Sequence, residues 1–480
     1  MNDILKLTIT ELIAKLKTRE LRSVDVTKAA LERIEERNDS INAYITICEE
    51  EALKQAEISD QKLDDGEGGM LEGVPLGIKD LFCTKGIKTT AASEMLAEFI
   101  PPYESTVTQG LLDQGAIFLG KLNMDQFAMG GSGETSFFGN AVNPIMEDQK
   151  LTPGGSSSGS AAALADFQCF GATGSDTGGS VRQPASFTNN VGFRPTYGRC
   201  SRFGMVAFAS SLDQAGFMAR SVEDVALMFR AGSGHDEKDS TSANVPVEAY
   251  DEIINDLDIK GLKIGLPKEY FVEGVDQKVK DVINAKVEAF KAAGAEVVEI
   301  SLPHTKYAVP TYYIVAPAEA AANLSRYDGM RYGVRVEGDN LNDTYAKSRS
   351  KGFGWEVKRR IMVGNYVLSS GYYDAYYSKA QKVRALLSQD FENAFEKVDV
   401  IFAPTTPELP FALGGKIDDP IAMYLCDIFT VSSALAGIPC ISVPAGHTPE
   451  GYPVGLQILG KAFDDAKVLQ AAKKAEDLSK

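Results

Sequence analysis

The sequence predicts an α/β protein: one mixed, mostly parallel central sheet, covered by helices on both faces and interrupted by a helical insertion. Three observations carry this expectation. From about residue 71, short apolar runs such as Val74-Pro75-Leu76-Gly77-Ile78 and Gly115-Ala116-Ile117-Phe118-Leu119-Gly120 alternate with helical and Gly/Ser-rich segments, the order of a sheet crossed by helices. Residues 305–400 read as mainly helical and are rich in tyrosine. Strand-like runs then return at Val398-Asp399-Val400-Ile401-Phe402, Ile441-Ser442-Val443-Pro444 and Val454-Gly455-Leu456-Gln457-Ile458-Leu459, so both ends of the chain are expected to feed the same sheet.

Along the chain, Thr8-Ile9-Thr10-Glu11 is a capping box, with Ile9, Leu12, Ile13 and Leu16 following at helical spacing. A second amphipathic helix fits Ser23 to Arg37. Gly, Ser and Ala dominate residues 130–220, and a polar passage opens at Gly232-Ser233-Gly234-His235-Asp236. Lys263-Ile264-Gly265-Leu266-Pro267 reads as a strand. Asp276 can cap a helix carrying Val279, Ile283, Val287 and Phe290 and closed by Gly294, and a last helix fits Asp464 to Leu478. The 480 residues therefore divide into N-terminal helices (1–70), a catalytic core (71–232), a largely helical insertion (233–400) and C-terminal strands with a helix that complete the sheet (401–480).

Composition narrows the function classes. With 44% hydrophobic and 24% charged residues the chain is neither disordered nor a disulfide scaffold. Its six cysteines, Cys48, Cys83, Cys169, Cys200, Cys426 and Cys440, include no CxxC pair and are expected as reduced thiols of a cytoplasmic protein. The stretch Met1-Asn2-Asp3-Ile4-Leu5-Lys6 lacks the basic and apolar regions of a cleaved signal, and no apolar run is long enough for a membrane span. A net charge of −17 argues against nucleic acid held on the chain's own surface, because phosphate binding depends on clustered Lys and Arg that release counterions. Any nucleic acid is expected to be held by another component.

Several motifs fail on context. Gly115 to Lys121 fits most of a phosphate-binding loop, but Leu122 stands where Ser or Thr must hold magnesium, and the loop itself reads as a strand. Gly155-Ser156-Ser157-Ser158-Gly159 has the spacing of a nucleophile elbow, yet Leu151-Thr152-Pro153-Gly154 before it is turn chemistry, not a strand. The only histidines, His235, His304 and His447, read as solvated loop residues, so no metal site is expected and catalysis should use other bases.

A lysine and a serine-rich centre remain. Lys79 ends the apolar run Val74 to Ile78, where burial would lower its pKa; bringing it from about 10.4 to about 7 costs on the order of 4.6 kcal/mol. Residue pattern alone favours an exposed or salt-bridged strand-end lysine over a base. Asp80 follows it, but neighbours on a strand point to opposite faces and need not pair. Ser180 sits in Asp176-Thr177-Gly178-Gly179-Ser180-Val181-Arg182. Two glycines before a helix start can expose successive N–H groups beside a nucleophile; an ordinary Gly-Gly turn with a serine cap fits the pattern equally well.

Gly154-Gly155-Ser156-Ser157-Ser158-Gly159-Ser160-Ala161-Ala162-Ala163, then Gly174-Ser175-Asp176-Thr177-Gly178-Gly179-Ser180-Val181-Arg182-Gln183-Pro184-Ala185 and Gly192-Phe193-Arg194-Pro195-Thr196, resemble the amidase signature family. Gly77-Ile78-Lys79-Asp80 stands where that family keeps its lysine, and the likeness runs along nearly the whole chain, as one large amidase-signature domain. Ser158 departs from it, since the family more often has Gly there. Gly234 to Ser242, Tyr327 to Gly333, Glu356 to Ile361, Ser370 to Tyr377 and Asp418-Asp419-Pro420 resemble the family's tRNA-dependent amidotransferase branch.

The resemblance implies a triad of Ser180 as nucleophile, Ser156 after a cis peptide bond, and Lys79 as base, with the backbone of Thr177, Gly178 and Gly179 holding the oxyanion. It implies glutamine as substrate, with Arg360 on the α-carboxylate, Asp427 on the α-ammonium and Tyr312 assisting. Arg359 competes with Arg360 for its role, and Tyr313 with Tyr312. It implies a carbon–nitrogen ligase complex that converts Glu-tRNA(Gln), Asp-tRNA(Asn) or both to the amides. In such a heterotrimer a B subunit holds tRNA, ATP and Mg and receives ammonia, a small C subunit straps the two together, and this chain binds no cofactor and no membrane. A stand-alone amidase for another small amide, or a non-catalytic scaffold within the same complex, are the other readings.

Overall fold

Eleven strands form one sheet in the order β1-β3-β2-β4-β6-β5-β10-β11-β9-β7-β8. In chain order they are β1 (Tyr44–Ile47), β2 (Pro75–Lys79), β3 (Ile117–Leu122), β4 (Gly171–Ser175), β5 (Val191–Arg194), β6 (Ala215–Ala219), β7 (Lys263–Pro267), β8 (Glu296–Ile300), β9 (Val400–Pro404), β10 (Cys440–His447) and β11 (Pro453–Leu459). The structure, a computed structural model, describes residues 3–271 and 274–479. Met1 and Asn2, the start of the N-terminal stretch read above, lie outside them.

Every residue of β2, β3, β4, β5, β6, β9 and β11 is buried. Because successive side chains point to opposite faces, burial at every position means that both faces of the sheet are covered. The edge strand β8 is mostly uncovered and carries Glu296 and Glu299, charges that discourage pairing with another chain.

The sheet is mixed, as expected, but its parallel pairings are not the majority. β2 with β3, β2 with β4, β7 with β8 and β7 with β9 run parallel; the other six pairings are antiparallel and occupy the middle of the sheet and the β1 edge. Strands buried on both faces read as continuous apolar runs whichever way they pair, so the pattern could not tell the two directions apart. β1 was not expected among the N-terminal helices, nor β8 within the 233–400 stretch. Both are short, and two of the five residues of β8 are charged.

Local signals hold well. Glu11 N–H donates to Thr8 Oγ1 (3.2 Å) and Thr8 N–H to Glu11 Oε2 (2.9 Å), the expected capping box. Asp276 accepts from Lys278 N–H (2.8 Å) at the start of the helix Gln277–Ala292. The second helix runs four residues past the expected end, over Ser23–Ile41, and the last covers Asp465–Asp477. All six cysteines are free thiols. His235 and His447 are exposed, but His304 is not merely solvated. Its Nδ1 lies 2.9 Å from Asp390 Oδ1, and its N–H donates to Asp390 Oδ2 (2.8 Å). A contact across 86 residues leaves no local trace in sequence.

Between β8 and β9 the chain is chiefly helical, and two of its helices, Ala308–Asn323 and Trp355–Leu368, lie against each other. Gly364 makes the contact close: a Cβ there would lie 2.0 Å from the Pro317 carbonyl oxygen. Gly364→Ala must push the two helices apart. A cost of about 1–3 kcal/mol is expected for such overpacking, seen as a lower urea midpoint than that of the unsubstituted chain.

Candidate active site

Lys79 is the last residue of β2 and is fully buried. Its backbone N–H donates to Thr173 Oγ1 of β4 (2.9 Å), which fixes where the side chain leaves the sheet. Nζ then meets four oxygens: Ser156 Oγ at 2.9 Å, Ser157 Oγ at 2.8 Å, Ser175 Oγ at 2.8 Å and the Ser175 carbonyl at 3.4 Å. Among the described residues no carboxylate forms an ion pair with it. Burial lowers its pKa to about 7, against the weaker pull of Asp125, Asp176 and Asp213. A neutral amine in this position can donate to two of its oxygen neighbours and still accept a proton from a third hydroxyl.

Asp80 points the other way, as strand alternation requires. It accepts from Thr90 N–H (3.0 Å) and the Thr90 hydroxyl, with Lys121 Nζ 3.7 Å away. The carboxylate next in sequence to Lys79 is thus committed to a different lysine.

Ser156 follows a cis peptide bond with Gly155, as the resemblance implied. Two residues hold this segment, one by its side chain and one by its backbone. Gln183 accepts from Gly155 N–H (2.9 Å) and donates to the Gly131 carbonyl (2.8 Å). Asp125 donates its N–H to the Ser156 carbonyl (3.1 Å), while its carboxylate gathers Gly133 N–H (3.0 Å), Thr135 N–H (3.1 Å) and Thr135 Oγ1 (2.9 Å).

Ser180 lies in the turn between β4 and the short helix Arg182–Phe187, with 8% of its surface exposed, and its carbonyl accepts from Ser157 N–H (3.2 Å). Among the described residues, the N–H groups of Thr177, Gly178, Gly179 and Ser180 donate to no protein acceptor. Four free donors in a row at a buried serine are the arrangement that stabilises a developing oxyanion. The turn is closed by Asp176, whose carboxylate takes two bonds from Arg182, Nε to Oδ2 and Nη2 to Oδ1, both 2.9 Å. Asp213 accepts from Thr177 Oγ1 (2.8 Å) and from Phe208 and Ala209 N–H, and burial raises its pKa to about 6.

A second group faces this turn. The Tyr312 ring lies against Gly178, where a Cβ would come within 2.6 Å of it, and Asp427 Oδ1 lies 3.3 Å from the corresponding point on Gly179. Arg360 is buried, bonded through Nε to Glu356 Oε1 (2.8 Å), with Phe208, Tyr313 and Tyr424 rings 5.4, 5.4 and 5.8 Å from its guanidinium. Arg359 instead lies over Trp355 at the surface, with 38% of its side chain exposed. The geometry therefore separates the two arginines. It does not separate the tyrosines: Tyr313 stacks on Tyr424 (3.7 Å between centroids) and donates to Asp427 Oδ2 (3.4 Å), so Tyr312 and Tyr313 are both candidates. Burial raises the Asp427 pKa to about 7, with Arg360 opposing the rise, and an ammonium seated on it would return it to the ordinary carboxylate range.

A cavity of about 30 Å³ is lined by Gly130, Gly131, Trp355, Arg359, Arg360 and Tyr424 among others, so both arginines border it. A larger one, about 810 Å³ and lined by Cys83, Tyr103, Phe137, Tyr327 and Arg331 among others, holds none of the expected site residues. Among the described residues no cluster of His, Cys, Asp and Glu could hold a metal ion.

Sequence reasoning missed Ser157, Ser175, Asp125, Gln183 and Glu356. Glu356 had a readable signal, since it precedes Arg360 by four residues on one helix face. The others reach the site through pairings between distant segments.

The fold and this constellation define an amidase, and the chain belongs to the amidase signature family: the Amidase family model matches residues 25–469. The likeness is narrower than the family. Glutamyl-tRNA(Gln) amidotransferases contain an A subunit, and the chain is 56% identical over 480 residues to that of Hyphomonas neptunium, covering 99% of this chain and 98% of the relative. It is 57% identical over 477 residues to the corresponding protein of Pelagibacter ubique, covering 99% and 97%. The crystal structure of the Thermotoga maritima counterpart superposes with a TM-score of 0.81 at 36% identity, covering 99% of this chain and 95% of that one.

The Asp176–Arg182 pair is fully buried, and breaking such a pair leaves an uncompensated charge. Arg182→Met should cost about 3–5 kcal/mol, measured as loss of soluble protein or a large fall in denaturation midpoint.

Proposed function

We propose that this chain is the glutamine-hydrolysing subunit of a tRNA-dependent amidotransferase, supplying the ammonia that converts Glu-tRNA(Gln), Asp-tRNA(Asn) or both to the amides. The observation that carries this is a buried lysine, made neutral near pH 7 by burial, bonded to Ser156 behind a turn of free N–H groups at Ser180. Asp427 lies against that turn at Gly179, and Arg360, bonded to Glu356, is near enough to oppose the rise of the Asp427 pKa; in our reading the two meet the opposite charges of an amino acid.

The steps follow from the chemistry. Lys79 takes the Ser180 proton through Ser156, and Ser180 Oγ bonds to the side-chain amide carbon of glutamine. The carbonyl oxygen becomes an oxyanion held by N–H groups from Thr177 to Ser180. As the intermediate collapses, the C–N bond breaks and the proton returns through Ser156 to the leaving nitrogen, which departs as ammonia. Water, deprotonated by the same relay, attacks the acyl-enzyme and releases glutamate. Arg360 binds the α-carboxylate, Asp427 the α-ammonium, and Tyr312 and Tyr313 wall the site.

Ammonia is useful only if captured. The names of the relatives support assembly as one component of a larger enzyme. In our reading a B subunit holds the tRNA, binds ATP and Mg and receives the ammonia, a small C subunit straps the two together, and this chain binds no cofactor of its own. The −17 charge suits a chain that leaves RNA to its neighbour. We place the assembly in the cytoplasm; among the described residues no helix is long and apolar enough to cross a membrane.

Glutamine hydrolysis tests the site directly. Ser180→Ala should lower kcat by at least about a thousandfold with folding intact. In the unsubstituted chain, kcat/KM should fall about tenfold per pH unit below about pH 7, because Lys79 must be neutral to act and protonates there. Unchanged hydrolysis by Ser180→Ala, or a flat profile from pH 5 to 8, would refute the assignment. Purification from its own cells should yield two further chains with it, and hydrolysis should quicken when charged tRNA and ATP are added. Equal cleavage of unrelated amides by an unaccompanied chain would identify a stand-alone amidase.

A further inference from the structure

Thr430 begins the short helix Val431–Ala436 and is fully buried, three residues after Asp427. Its hydroxyl lies 2.6 Å from the Gly178 carbonyl oxygen and 3.1 Å from that of Asp427. One proton cannot serve both well, and the shorter contact takes it. The bond therefore crosses from the Asp427 turn to the turn that holds Ser180.

Its consequence follows from peptide geometry. In a planar trans peptide the C=O and the next N–H point in opposite directions. Anchoring the Gly178 carbonyl on Thr430 directs the Gly179 N–H away from Thr430, and that N–H is one of the four without a protein acceptor. Gly179 is at φ +147, and a Cβ there would lie 2.4 Å from Thr430 Oγ1. Glycine is thus required both by the backbone angle and by the closeness of the threonine. Without the hydroxyl bond, a flexible Gly-Gly peptide is free to rotate its N–H out of place. Thr430 is itself held: Arg182 Nη2 donates to its carbonyl (3.1 Å), and its N–H donates to the Asp427 carbonyl (3.0 Å).

We infer that Thr430 is a positioning residue for the oxyanion site, fixing the Gly179 N–H through the Gly178 carbonyl. The same turn carries Asp427, so the α-ammonium contact and the oxyanion donor belong to one rigid unit. This rests on the glutamine reading above. It adds a residue that touches neither substrate nor the reacting atoms.

The test compares Thr430→Val, which keeps shape and loses the donor, with Thr430→Ser, which keeps the donor, in the full chain with the partners that co-purify. Removing an oxyanion donor outright costs about a hundredfold to a thousandfold in kcat; misorienting one should cost about tenfold to a hundredfold, with KM for glutamine little changed. The discriminating probe is the glutamine analogue with a boronic acid in place of the amide. It adds Ser180 Oγ to boron and forms a tetrahedral anion at the oxyanion site. Glutamate, with the same α-groups and no tetrahedral centre, is the control. Thr430→Val should weaken the boronate by about the factor lost in kcat and glutamate by less than about twofold, and Thr430→Ser should restore both kcat and boronate binding.

Equal loss of boronate and glutamate binding would mean a general collapse of the site and overturn the inference, as would unchanged kcat. Thr430→Ala takes the place of a valine variant that does not fold; if neither folds, the hydroxyl is structural and the inference fails. If the unsubstituted protein hydrolyses no glutamine, the glutamine reading itself falls and takes this inference with it. An active protein indifferent to Thr430→Val removes the inference alone.

Discussion

The buried pair of Asp176 and Arg182 is the constraint on which the rest of the site depends. Arg182 spends its remaining donors on Ser433 Oγ (2.8 Å), Gln457 Oε1 of β11 (2.6 Å) and the Thr430 carbonyl (3.1 Å). Arg194, at the end of β5, adds a contact to Asp176 at 3.4 Å. One carboxylate and two guanidiniums thus tie the serine turn to strands and a helix that lie more than 240 residues away in sequence. Burial disfavours the charged carboxylate, but Arg182 and Arg194 more than offset this and hold Asp176 below the usual carboxylate range. Such a knot adds little net stability over a well-packed apolar core. Its geometric effect is what the chemistry needs, because a Gly-Gly turn has no rigidity of its own.

The same economy explains why Lys79 can be a base. Three aspartates lie near enough to favour its charged form, and a direct ion pair with any of them would keep it protonated. Each is occupied: Asp176 by the arginines, Asp213 by Thr177 and two backbone N–H groups, and Asp125 by the Gly133–Thr135 backbone and hydroxyl. The lysine is left with neutral oxygens, and desolvation prevails over the remaining attraction.

How much of this was legible in the sequence depends on distance along the chain. The capping box at Thr8, the Asp276 cap and the strand ending at Lys79 are local and were read correctly. The signature serines were found by resemblance, while residue pattern alone left both Lys79 and Ser180 undecided. Strand direction was not legible, because full burial erases the alternation that distinguishes it. Ser175 and Thr430 could not be found from spacing, since what places them is the register of β4 against β2 and the docking of the 427–436 segment on the serine turn. Charge is a coarser signal: the net −17 argued against a basic RNA-binding surface on this chain and carried no information on where a substrate would be held.

The helices Ala308–Asn323 and Trp355–Leu368 carry Tyr312, Tyr313, Glu356 and Arg360, whereas the lysine, both serines and the free N–H groups lie before residue 181. In our reading, bond cleavage and recognition are therefore written largely on separate stretches of chain. A lineage can rewrite the recognising stretch and inherit the cleaving one unaltered, so that new amides come within reach of old chemistry without the reaction having to be invented again.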